Sequence, residues 1–190
     1  DHVAGLAQLK KSTGAKLLAS KNDRKALEQG AHTGDNENGP TKFPAVKVDR
    51  IITDGEQLKL GGISLQAVFT PGHTEGATSW LTRDTIKDTD HSIFFLSSIT
   101  VAGNRLINNN VSPKIVEDYR KSFARAKAIQ VDILLIGHPP FIQHDEKYEA
   151  QKNGKADAFV NPNELKEFVA RAEAAFEAEL EKQQAMKKSF

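Results

Sequence analysis

Asp1, His2, His73 and His138 are the residues of this chain whose types and settings suit metal chemistry. Asp1-His2 opens the sequence. His73 lies in Thr70-Pro71-Gly72-His73-Thr74-Glu75-Gly76, and His138 in Leu134-Leu135-Ile136-Gly137-His138-Pro139. These two histidines each follow an apolar, strand-like run and stand at a glycine turn. A β scaffold offers metal ligands in this way, with rigid strands fixing the geometry and loops exposing the imidazoles. One carboxylate and three imidazoles suit zinc better than the hard, oxygen-seeking cations. Taken singly, each has an ordinary explanation: a terminal Asp-His pair is normally solvated, and a histidine in a turn often serves structure. Their combination, in this order and at these junctions, points to a metal site.

The other candidates are weaker. Ser98 and Thr100 follow a strand-like segment, where hydroxyls suit a substrate carboxylate or an ordered water as well as local backbone. No Gly-x-Ser-x-Gly elbow occurs, which disfavours a serine nucleophile. His91 and His144 lie in polar surroundings and read as surface residues, and His32, in a long polar loop, reads as exposed at the border of a pocket. Trp80 reads as core.

The elements that must position these residues alternate between helix and strand periodicity. Val3 to Lys11 reads as a helix with Val3, Leu6 and Leu9 (or Ala7) on one face, and Ala15 to Ala19 as a strand. A second helix starts near Asn22 or Asp23 and ends at Gly30, followed by a polar loop to Pro44. Ile63, Leu65, Ala67 and Phe69 alternate as the inner face of a strand, and Thr78 to Leu81 and Ser92 to Leu96 read as strands joined by a charged turn. Ser112-Pro113 reads as the cap of a helix carrying Ile115, Val116, Tyr119, Phe123 and Ala126. Val131 to Ile136 is a buried strand. Asn161 to Glu164 starts a long helix with Leu165, Phe168, Val169, Ala172, Phe176 and Leu180 as its inner stripe.

Composition narrows the function classes. At 190 residues, 38% hydrophobic and 27% charged, the chain reads as one folded domain, residues 1–190. A net charge of +1 without a basic block argues against a nucleic-acid surface. No apolar run approaches the roughly 20 residues of a membrane helix. The absence of cysteine excludes disulfides and thiolate ligands without assigning a compartment.

The chain resembles the C-terminal portion of a subclass B3 metallo-β-lactamase. The resemblance is carried by Asp1 to Leu6, Phe43 to Arg50, Thr70 to Trp80, Val116 to Phe123 and Asp132 to Pro139. The Pro-Gly-His turn is shared across the wider superfamily; the Glu117-Asp118-Tyr119-Arg120 helix and the Thr78-Ser79-Trp80 segment are more particular to this subclass. The resemblance implies an α/β fold, the four-layer αβ/βα sandwich, lacking its N-terminal segment. It implies two zincs per complete site. Asp1 and His2 match the last two positions of a His-x-His-x-Asp-His motif and would bind the second zinc with His138; His73 would bind the first. The two leading histidines of that motif are absent from this sequence. Ser98 and Thr100 correspond to the substrate-carboxylate hydroxyls, although Ala102-Gly103-Asn104 departs from a common Ala-Pro-Gly pattern. The implied activity is hydrolysis of the β-lactam ring of penicillins, cephalosporins and carbapenems by a metal-held hydroxide, with Asp1 also orienting the nucleophile. The expected setting is a monomeric, periplasmic enzyme of antibiotic resistance, acting on a small molecule and engaging neither nucleic acid nor membrane. A lactonase or thioester hydrolase of the same superfamily is the alternative, and an inactive fragment the rival of another class.

Overall fold

A computed structural model describes residues 2–39 and 41–188. In chain order it forms α1 (Leu6–Thr13), β1 (Leu18–Ser20), α2 (Lys21–Gln29), β2 (Arg50–Ile52), β3 (Gln57–Leu60), β4 (Ile63–Phe69), β5 (Thr78–Ile86) and β6 (Thr89–Leu96). There follow α3 (Ile115–Ala128), β7 (Ile133–Ile136), a 3-10 turn (Pro139–Ile142), α4 (His144–Lys152) and α5 (Glu164–Lys188). Strands β1 and β2 pair in parallel. The larger sheet runs β3-β4-β5-β6-β7, antiparallel until its last pair, where β6 and β7 are parallel and α3 makes the crossover.

Sequence periodicity explains which face each element buries. Phe94 pairs with Leu81 and Leu134, so the three share one face of the sheet, and α3 and α5 pack on that face. Tyr119, Phe123 and Phe176 are fully buried there, with ring centroids 5.0 to 6.1 Å apart. Trp80, Phe95 and Leu135 lie on the opposite face, where Phe95 remains 42% exposed and Trp80 is half-buried. A smaller cluster of Ala19, Leu27, Val46 and Val48 is covered by Val3, Leu6 and Ala7.

Several local expectations need correction. Leu9 is 57% exposed, so Ala7 rather than Leu9 completes the inner face of α1. In β4 Ala67 is fully buried as expected, but it is Val68, on the other face, that joins the main core, and Ile63, beside the Gly61-Gly62 turn, is 63% exposed. The charged segment between β5 and β6 is mostly strand. The chain reverses only at Lys87-Asp88, both at positive φ, as a two-residue hairpin turn demands. Ser20, not Asn22 or Asp23, caps α2: its Oγ accepts from the Asp23 amide. Helix α3 starts at Ile115, after a turn in which the Ser112 amide donates to Asn109 Oδ1 at 2.7 Å. Helix α4, whose sequence reads as a solvated run, has no buried residue and hence no apolar stripe to announce it.

Asp54 ties the start of this sheet to α3. Its carboxylate accepts from Arg125 Nη1 at 2.7 and 2.8 Å and from the Phe69 amide at 2.8 Å. Partial burial pushes the Asp54 carboxyl up, but the hydrogen bonds from Arg125 and Phe69 outweigh it, and the net position is below the ordinary value of 3.8. A depressed carboxylate stabilises the fold in full above that ordinary value and loses this contribution as pH falls through its own lower pKa. Asp54→Asn is therefore expected to lower the melting temperature at neutral pH and to flatten its fall on acidification, as a pH series of thermal melts would show. The pair is solvent-screened, so the effect is modest.

Candidate metal centre

His73 sits in the turn between β4 and β5, and the surrounding sequence builds that turn closely. Thr70 N donates to Ala77 O at 2.9 Å, closing the loop, and the buried hydroxyls of Thr70 and Ser79 lie 2.8 Å apart beneath it. Gly72 adopts φ +135, and a Cβ there would meet the Tyr119 ring at 2.7 Å, so the turn rests directly on α3. Ser122 of α3 also donates to Pro71 O at 2.6 Å.

Asp23, a residue that sequence reasoning passed over except as a helix start, holds the far side. It accepts from Thr74 Oγ1 at 3.0 Å and from the Gly76 amide at 3.1 Å. Burial pushes its carboxyl up, against the pull of those two hydrogen bonds. Gly76 is required by this contact: a Cβ would lie 2.0 Å from Ser20 Oγ and 2.6 Å from Asp23 Cγ. Gly76→Ala is expected to part the turn from α2 and lower stability by roughly 1–3 kcal/mol. A melting curve unchanged by this substitution would contradict the packing.

The predicted histidines converge. The His2 ring centroid lies 4.8 Å from that of His138 and 5.6 Å from that of His73. Gly137 makes room for this, since a Cβ there would come within 3.0 Å of His2 Nδ1. His138 follows β7 and opens the 3-10 turn, its carbonyl accepting from Phe141 N at 3.1 Å. Asp1 lies outside the described residues.

Protonation favours metal binding. His73 Nδ1 faces the Thr100 carbonyl at 2.9 Å; a carbonyl only accepts, so Nδ1 carries the proton and the neutral ring keeps its lone pair on Nε2. Burial holds His73 below the ordinary histidine value, partly offset by that hydrogen bond. Burial, then the neighbouring His73 and His138, lower His2 to about 4. His2 is therefore neutral at physiological pH, the state in which imidazole ligates. In chemistry this donor set fits zinc, and His73 has the tautomer that leaves Nε2 free to ligate. Among the described residues, however, no group of three His, Asp or Glu side chains is close enough to hold a metal ion unaided.

Ser98 and Thr100 line a cavity together with His2, His138, Phe141 and Phe168. Their hydroxyls are 3.0 Å apart. His32, expected to be exposed, is half-buried and lines a second cavity with His73 and Asp23. His91 lies within β6 and His144 begins α4, both half-buried, and His144 stacks on Tyr148 rather than standing free in solvent. A further pair also escaped the sequence reading. Asn104 Nδ2 donates to His73 O at 3.0 Å and to Tyr119 Oη at 3.2 Å, and Tyr119 Oη donates to Thr100 O at 2.9 Å. Burial pushes the Tyr119 phenol up, so it keeps its proton.

No family model matches the chain. Solved structures do. The subclass B3 metallo-β-lactamase BJP-1 of Bradyrhizobium japonicum is 40% identical, with a TM-score of 0.90 over 96% of this chain and 69% of its own. The chain belongs to the subclass B3 metallo-β-lactamase family. A metallo-β-lactamase of Cronobacter sakazakii with a HARLDQ motif is 38% identical (TM-score 0.87, 96% of this chain and 70% of that one). Native FEZ-1 from Legionella gormanii is 31% identical (TM-score 0.90, 97% and 71%). The mixed α/β architecture described above is thus the metallo-β-lactamase fold, spanning about 70% of the length of these relatives, and its kinship is with hydrolases.

Proposed function

We propose that the protein hydrolyses the β-lactam ring of penicillins, cephalosporins and carbapenems with the help of zinc, and so confers antibiotic resistance. The observation that carries this reading is the gathering of His2, His73 and His138 beside the Ser98 and Thr100 hydroxyls, in a chain of the subclass B3 family. His73 would hold one zinc, and His2, His138 and Asp1 the other. Bound zinc supplies a Lewis acid for the lactam carbonyl and acidifies water.

The chain's own residues do the rest. The reaction forms a C–O bond at the lactam carbonyl carbon, breaks the C–N bond and leaves a proton on the ring nitrogen, without a covalent enzyme intermediate. Ser98 and Thr100 are 3.0 Å apart, and one hydroxyl donating to the other leaves one proton to bind a substrate carboxylate. The Thr100 carbonyl fixes the His73 tautomer, and Asp1 orients the attacking water. Phe141 and Phe168 give the cavity an apolar wall for the rest of the substrate. The setting we propose is the periplasm, with the enzyme working as a monomer.

A panel of β-lactams, a lactone and a thioester, assayed with the zinc-loaded full-length protein, tests the substrate class. Preferential turnover of β-lactams is expected. Turnover confined to the lactone or thioester would move the assignment to another hydrolase of the superfamily.

A further inference from the structure

His73 is clamped twice, and both clamps meet at one buried phenol. The ring is held by the Thr100 carbonyl, which accepts from His73 Nδ1 at 2.9 Å and from Tyr119 Oη at 2.9 Å. The backbone is held by Asn104, whose Nδ2 donates to His73 O at 3.0 Å and to Tyr119 Oη at 3.2 Å. Tyr119 is fully buried and Asn104 is 4% exposed, so leaving the phenol or the amide without its partner is costly. Asn36 Nδ2 donates to Asn104 Oδ1 at 3.0 Å, which settles the orientation of the amide and aims its Nδ2 at His73 and Tyr119. The Tyr119 ring also supports Gly72, the residue before His73.

We propose that Tyr119 is a positioning residue for His73: through Thr100 and Asn104 it fixes the ring tautomer and orientation that leave Nε2 as the metal-facing atom. It touches neither metal nor substrate. Partners that orient a ligand imidazole in this way commonly alter metal affinity by roughly 10–100-fold when removed. The consequence for zinc rests on the function proposed above, but the state of the His73 ring does not.

The test is nitrogen-detected NMR of the imidazoles in the metal-free full-length protein, joined to zinc competition against a chromophoric chelator. The unaltered protein is expected to show His73 as the Nδ1-protonated tautomer alone. Tyr119→Phe is expected to show a mixture of tautomers and a zinc affinity lower by roughly 10–100-fold. Phe123→Leu, in the same aromatic cluster but outside the clamp, is expected to lower the melting temperature and leave the His73 nitrogens unchanged, which a merely structural role for Tyr119 would not predict. Should Tyr119→Phe fail to fold, Asn104→Ala removes the other arm and is expected to disturb the same nitrogens. His73 nitrogens unmoved in the folded variant would overturn the inference, whether or not the protein hydrolyses β-lactams.

Discussion

His73→Ala is expected to lower kcat/KM for a β-lactam by about 1000-fold or more while leaving the fold intact. The size follows from what a bound metal contributes. Polarising a carbonyl is worth several kcal/mol, and each 1.36 kcal/mol is a factor of ten in rate. The intact fold follows from the position of the residue. His73 is half-buried in a turn whose closure depends on Thr70, Ala77, Ser79, Ser122 and Asp23 rather than on the imidazole. Removing the ring frees the Thr100 carbonyl of one donor but leaves it Tyr119. Steady-state kinetics, zinc content and circular dichroism measured together separate lost metal from lost structure. Turnover within tenfold of the unaltered protein would exclude His73 as a ligand.

Phe176→Ala is expected to cause the largest loss of stability, roughly 3–5 kcal/mol. Phe176 lies on the inner stripe of α5, fully buried, with ring centroids 5.0 Å from Tyr119 and 5.4 Å from Phe123. Truncation removes dispersion contacts from both rings and leaves a cavity between α3 and α5 that backbone-fixed helices cannot close. Against a usual total of about 5–15 kcal/mol this is a substantial share. It corresponds to a fall in melting temperature of roughly 6–20 °C for a chain of this size. Because the cavity underlies Tyr119, the variant also loosens the support of the His73 turn. A shift below about 1 kcal/mol would mean that the aromatic cluster repacks freely.

The residues that were legible from the sequence are those whose signals are local. Pro71-Gly72-His73 and Gly137-His138 mark strand ends because glycine is needed where backbone meets a neighbouring ring, Tyr119 in one case and His2 in the other. The stripe Leu165, Phe168, Val169, Ala172, Phe176 and Leu180 repeats at helical spacing and packs into the main core as its period requires. What escaped was set by distant partners. Asp23 binds a turn more than fifty residues later in the chain, |i−j| = 51 and 53. Asn104 and Tyr119 lie 15 positions apart and converge only because α3 passes beneath the His73 turn. The misplaced start of α3 has a local cause instead. Ser112-Pro113 has the composition of a helix cap, but the Ser112 carbonyl accepts from the Ile115 amide in a tight turn, and the first helical bond runs from the Asp118 amide to the Lys114 carbonyl, so the helix starts at Ile115.

Our proposal has His2, His73 and His138 serve zinc-dependent cleavage of a β-lactam. It is tested most directly by following hydrolysis of a carbapenem by the zinc-loaded full-length protein, with and without a chelator. Turnover that the chelator abolishes and added zinc restores is the predicted result. A folded protein that holds zinc and leaves the carbapenem intact, or turnover indifferent to the chelator, would contradict it.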